Sequence, residues 1–203
     1  HHGVLFLDEF PEFSRAALEA LREPLETGII NLSRARHHVT YPAEFQLVAA
    51  MNPCPCCYLG MQKPSCRCSP LQVARYQGRI SGPLWDRIDM QVSVNALSAE
   101  VLLHAPLGER TSVVKARCIA AHEHAWMRQG CRNKDLSQAQ LQSLLLSPEA
   151  SSLLAHTAEQ RAWSARATHR VLRLAQTIAD LAQAQEIGQM HMAEALQYRS
   201  FLA

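Results

Sequence analysis

Four consecutive large apolar residues, Val4-Leu5-Phe6-Leu7, run without interruption into the two carboxylates Asp8 and Glu9. A second such run, Phe45-Gln46-Leu47-Val48-Ala49-Ala50-Met51, ends on Asn52. Near-continuous apolar runs of this length predict buried parallel strands covered on both faces, rather than the alternating strands of a half-solvated sheet. Between them, Ser14 reads as an N-cap, and Leu18, Leu21 and Leu25 recur at helical spacing from about Arg15. Pro24 inside that helix costs roughly 3 kcal/mol, so a kink or end is expected near Glu23, with a stop by Gly28. Two β-prone runs, 29–33 and 37–41, flank the short link Arg34-Ala35-Arg36 and predict a hairpin. Residues 90–94 read as one more short strand.

From about Leu97 the pattern becomes helical, and Pro106 and Gly108 mark a linker. Helices are expected over 111–129 with a stop at Gly130, over 137–146 and over 148–156. The clearest one starts after the N-cap Ser164, with Val171, Leu174, Ala175, Ile178, Leu181 and Ala182 forming one apolar stripe. Arg166, Arg170 and Arg173 share another face, where they repel unless something acidic lies opposite. A last helix is expected over 190–201.

The strand ends carry the candidate chemistry, because ligands of open α/β sheets sit beyond the carboxyl ends of the strands. Asp8 and Glu9 therefore fall where a ligand binds, as do the Mg²⁺-holding Asp and neighbouring carboxylate of P-loop NTPases. A solvated acidic turn is the plainer alternative, and for Asn52 it is a turn opened before Pro53. Cys54-Pro55-Cys56 and Cys66-Arg67-Cys68 form two C-x-C pairs nine residues apart, with Cys57 as a fifth thiol. Four paired thiols in a polar loop suit a closed tetrahedral Zn²⁺ site better than they suit core packing. At the hairpin tip, Arg34 and Arg36 with His37 and His38 fit either phosphate contact or a solvated turn. The histidine pairs His37-His38 and His122/His124 are spaced wrongly to share one ion and read as surface or packing residues.

Composition narrows the class. The 203 residues are 48% hydrophobic, enough for one large or two small domains, and the net charge of +2 leaves any nucleic-acid case to local patches. Five of the seven cysteines lie between Cys54 and Cys68, a clustering that favours metal in a reducing compartment over a disulfide framework. No stretch reads as a transmembrane helix or a signal peptide, so a cytoplasmic protein without a membrane partner is expected. No Gly-x-x-x-x-Gly-Lys-Ser/Thr phosphate loop occurs in the chain, which alone is therefore not expected to hydrolyse ATP.

Three blocks together, Gly3 to Glu9, Asn52-Pro53-Cys54-Pro55-Cys56 and Ser81-Gly82-Pro83-Leu84-Trp85-Asp86-Arg87-Ile88-Asp89, closely resemble the ComM (YifB-type) branch of the magnesium-chelatase-like AAA+ family. The resemblance implies an α/β fold. Residues 1–95 would be the later part of a P-loop NTPase core, a parallel sheet with a β-hairpin insertion, and 96–203 an all-α lid. It implies that Asp8 and Glu9 are Walker B, Asn52 is sensor 1, Arg87 is an arginine finger reaching a neighbouring subunit, and Arg166 is sensor 2. ATP and Mg²⁺ are the implied cofactors, and a homo-hexameric ring driving DNA branch migration is the implied assembly. The family usually reads Cys-Pro-Cys-Gly-Tyr, whereas Cys57 stands before Tyr58 in this chain. Two other classes compete: a chelatase-type motor remodelling a protein partner, and a non-catalytic zinc-bearing interaction module.

Overall fold

A computed structural model describes residues 1–34, 37–61, 64–95, 97, 99–106 and 108–199. The chain forms two units, His1–Ile88 and Asp89–Ala203. The first is mixed α/β and the second is all-α, as the patterning predicts.

In the first unit, strand β1 (Gly3–Leu7) pairs in parallel with β4 (Phe45–Ala49), in register from Gly3 against Phe45 to Leu7 against Ala49. Between them lie a 3-10 turn (Phe10–Glu12), helices α1 (Arg15–Ala20) and α2 (Arg22–Thr27), and the antiparallel hairpin β2 (Ile29–Arg34) and β3 (His37–Pro42). The helical break falls at Leu21 rather than near Glu23. Pro24 then occupies the first turn of α2, where its missing N–H costs no intrahelical bond. Gly28 ends α2 in the left-handed conformation (φ 70°), its N–H donating to the Pro24 carbonyl.

Phe10, Leu18, Ile80 and Leu84 are the buried centre of this unit, with Leu7, Leu21, Leu25 and Met51 packed around them. They cover one face of the two-stranded sheet. On the other face Val4 is 65% and Phe6 60% exposed, with Val48 beside them, so the expectation of strands covered on both sides is corrected. Among the described residues nothing packs on that face. Helix α3 (Pro70–Gln77), capped by a reciprocal Ser69/Gln72 box, and the short α4 (Gly82–Trp85) complete the unit; neither stood out in the hydrophobic pattern.

The second unit contains α5 (Ala99–His104), α6 (Thr111–Gln129), α7 (Gln138–Gln142), α8 (Pro148–Gln160), α9 (Ala165–Leu181) and α10 (Gln189–Gln197). Gly130 stops α6 at φ 70°, and the Ser164 hydroxyl accepts from the Ala167 N–H at the start of α9. Residues 90–94 are not a strand, because among the described residues no strand lies beside them; Gln91 instead donates its N–H to the Tyr198 carbonyl at 2.8 Å. Helix α7 is shorter than expected since Leu146 leaves it to bridge Ile187, and α10 begins and ends differently from 190–201.

The core of this unit joins Ala150 and Leu154 of α8, Val171, Ala175, Ile178 and Ala179 of α9, Ile187, and Met192 and Ala195 of α10. Leu181 and Ala182, expected in the stripe, are exposed, while Gln176 and Asp180 are buried in their stead. Asp180 accepts from Asn133 Nδ2 at 2.7 Å, Gln176 Nε2 at 3.1 Å and both terminal nitrogens of Arg128, and His124 Nδ1 stands 3.2 Å away. A buried carboxylate is tolerable only with such partners. No helix among the described residues is long and apolar enough to cross a membrane.

Candidate nucleotide and metal sites

Pairing of β1 with β4 brings the three strand-end residues to one edge. Beyond the last paired residues the two chains stay joined, with Ala50 N–H donating to the Leu7 carbonyl and Phe10 N–H to the Ala50 carbonyl, both at 2.9 Å. Asp8 and Glu9 occupy the exposed turn between those bonds, and half-buried Asn52 follows on the neighbouring strand's exit. Glu9 has left-handed backbone (φ 50°), and its N–H donates to Asp8 Oδ1 at 2.9 Å. A non-glycine residue held there stores roughly 1 kcal/mol or more, a strain found where side chains must be aimed. Two carboxylates and an amide at the carboxyl end of parallel strands can take a metal-bound phosphate and orient a water.

Arg87 belongs to the same unit but is turned inward. Its guanidinium donates to the Pro83 carbonyl at 2.7 Å and the Arg22 carbonyl at 3.1 Å and pairs with Glu26. Pattern reading missed Glu26 as a partner, since the two are 61 residues apart. Arg166 is exposed on the first turn of α9, in the second unit. Its row-mates are satisfied separately: Arg170 pairs with Asp89, and Arg173 donates to the Leu136 carbonyl at 2.7 Å. Arg34 is the last residue of β2, opposite His37, whereas Arg36 lies outside the described residues.

The four paired cysteines do converge. The Sγ atoms of Cys54, Cys56, Cys66 and Cys68 all lie within 4.8 Å of one another. Cys54 to Cys56 is 3.5 Å, Cys54 to Cys66 3.7 Å and Cys56 to Cys66 3.5 Å. Those separations match the edge of about 3.8 Å of a tetrahedron built on Zn–S bonds of about 2.3 Å. All four are free thiols, so the donor set fits one metal ion. A backbone hydrogen bond from Arg67 leads the interactions that lower the Cys56 thiol to about 6, whereas burial pushes Cys68 up to about 12. A cation at the centre would favour the thiolate at every position. Cys57 is exposed, outside the cluster, and has left-handed backbone (φ 69°).

An acid-tipped parallel strand, a polar residue on the adjacent strand end and a following all-α unit define a partial AAA+-type fold. The sequence matches the family described as "Magnesium chelatase, subunit ChlI" over residues 1–102, and "Magnesium chelatase, subunit ChlI C-terminal" over residues 108–199. The chain belongs to this magnesium chelatase family. Among its relatives, YifB of Salmonella typhimurium is 44% identical over 202 residues, covering 98% of this chain and 40% of that protein. The YifB of Escherichia coli is 43% identical over the same length and coverage. The competence protein ComM of Haemophilus influenzae is 41% identical over 204 residues, covering 99% of this chain and 40% of that protein. The chain thus spans about two-fifths of the length of these curated relatives.

Proposed function

We propose that this chain is the acid-strand and lid portion of a ring-forming AAA+ ATPase that moves DNA. The observation that carries the reading is the delivery of Asp8-Glu9 and Asn52 to one edge by adjacent parallel strands. Supporting it are the family and the likeness to a competence protein. ATP with Mg²⁺ supplies the phosphoanhydride to be cleaved. Asp8 holds the Mg²⁺ side, Glu9 takes the proton from the attacking water, and Asn52 hydrogen-bonds the γ-phosphate or that water. Arg166 reaches the γ-phosphate from the lid of the same copy. Arg87 leaves Glu26 for the phosphates of a neighbouring copy in a homo-hexamer, stabilising charge that develops there. In this division 1–95 is the core portion and 96–203 the lid. Cys54, Cys56, Cys66 and Cys68 hold one structural Zn²⁺, which cross-links the loop. Such a motor works in the cytoplasm, driving branch migration during DNA uptake and recombination.

The hairpin tip supplies the DNA contact through Arg34 and Arg36, whose charges meet phosphates without reading sequence. Changing both to Ala in the complete protein should reduce the salt dependence of DNA binding by about two phosphate contacts and abolish stimulation of ATP hydrolysis by DNA, leaving basal hydrolysis in place. A motor remodelling a protein partner, as the chelatase description of the family suggests, is the second reading. It is favoured if DNA never stimulates hydrolysis by the complete protein. Should neither DNA nor nucleotide bind, a zinc-bearing interaction module is what stands.

A further inference from the structure

The cysteine loop and the helix after it begin and end at the nucleotide edge. The chain passes Asn52, enters the cluster two residues later at fully buried Cys54, and leaves it at Cys68, directly before the Ser69 cap of α3. Helix α3 then runs back. Its Tyr76 is buried in the unit, and Gln77 Nε2 donates to the carbonyl of Pro53, the residue after Asn52, at 3.0 Å. Just past the helix, Arg79 Nη1 donates to the Pro11 carbonyl at 3.2 Å and to Glu12 Oε2 at 2.6 Å, in the turn that follows Asp8 and Glu9. Ile80 joins Phe10 in the core.

We infer that metal on the four cysteines, backed by α3, is the device that positions Asn52 and, through Arg79, the Asp8-Glu9 turn. Gln77 is a positioning residue in this scheme. The inference rests on the metal and Asn52 readings above. Its physical basis is loop closure: the segment between Pro53 and Ser69 contains no helix or strand among its described residues, so within the loop the four cysteines are the cross-link that draws its ends together. With the metal in place, α3 starts from a fixed point and grips Asn52–Pro53 from behind. Without it, the grip depends on a loop free to rearrange.

The test compares backbone amide exchange in the 203-residue chain loaded with zinc, in the chain stripped by chelator under reducing conditions, and in a zinc-loaded Gln77→Ala variant. Stripping should speed exchange at Phe10, Ala50 and Asn52 by about tenfold or more while α9 is unaffected. Gln77→Ala should keep one zinc per chain yet speed exchange at Asn52. In the complete protein it should lower kcat for ATP with KM unchanged, a split that a loss of binding would not produce. Zinc bound one-to-one with unaltered exchange at Asn52 in both the stripped chain and the variant would overturn this inference alone. A chain that takes up no zinc would overturn the metal reading with it.

Discussion

Arg87 and Glu26 form an ion pair in which the arginine side chain is only 11% exposed, its other nitrogens being taken by the Arg22 and Pro83 carbonyls. The pair ties α2 to the residues just after α4 across 61 residues of sequence. Arg87→Ala should therefore destabilise the first unit by about 1–3 kcal/mol, less than a fully buried pair because Glu26 is partly solvated. Denaturant unfolding of the chain measures this, and a change under about 0.5 kcal/mol would show that the contacts contribute nothing. If Arg87 also serves a neighbour's phosphates, mixing Arg87→Ala with Glu9→Gln copies of the complete protein should restore part of the activity that each lacks. No recovery at any ratio would confine Arg87 to its structural part.

Cys57 has left-handed backbone (φ 69°), a conformation that glycine adopts without steric cost. Because its thiol lies outside the four-sulfur cluster, Cys57→Gly should retain one zinc per chain and add roughly 1 kcal/mol of stability by relieving the strain. Cys54→Ser should lose the metal, since it removes one of four ligands at the buried centre of the site. Elemental analysis of protein purified without added metal separates the two variants; equal zinc in both would contradict the ligand set.

Asp180 predicts the acid stability of the second unit. Burial alone would raise its pKa, but hydrogen bonds from Arg128, Asn133 and Gln176 and the charge of Arg128 outweigh burial and hold it below the ordinary value of about 3.9. A carboxylate whose folded pKa is depressed contributes stability that is full above its unfolded pKa and is lost as pH falls through the folded one. Stability of this unit should therefore decline below about pH 4. Asp180→Ala, which takes the shared acceptor from Arg128, Asn133 and Gln176, should cost about 1–3 kcal/mol near neutral pH and flatten that decline. A variant as stable as the parent and equally acid-sensitive would remove Asp180 from this role.

Much of this was legible in the sequence because it is local. Capping serines and the stops at Gly28 and Gly130 each depend on a few neighbouring residues and took the form their chemistry dictates, and the apolar runs 3–7 and 45–49 became strands, though covered on one face. The paired cysteine spacing likewise foretold the convergence of four thiols. What escaped is long-range. Asp180 was invisible as a core residue because all its partners but Gln176 lie 47 to 56 positions away on α6 and the turn after it, and a stripe drawn through apolar residues alone passes it by. Gln77 and Arg79 read as part of an ordinary polar stretch until α3 returns them to Pro53 and the 3-10 turn. The open face bearing Val4 and Phe6 could not be read either, since an apolar run signals burial without saying what covers it.

Whether the Asp8-Glu9 strand end is half of an ATP-hydrolysing site is decided by Glu9→Gln in the complete protein. The substitution keeps the size and hydrogen-bonding of the side chain while removing its capacity to accept a proton. ATP binding with Mg²⁺ should persist at near parental affinity, and single-turnover hydrolysis should fall by about 10² or more. Hydrolysis at the parental rate by Glu9→Gln would contradict the account.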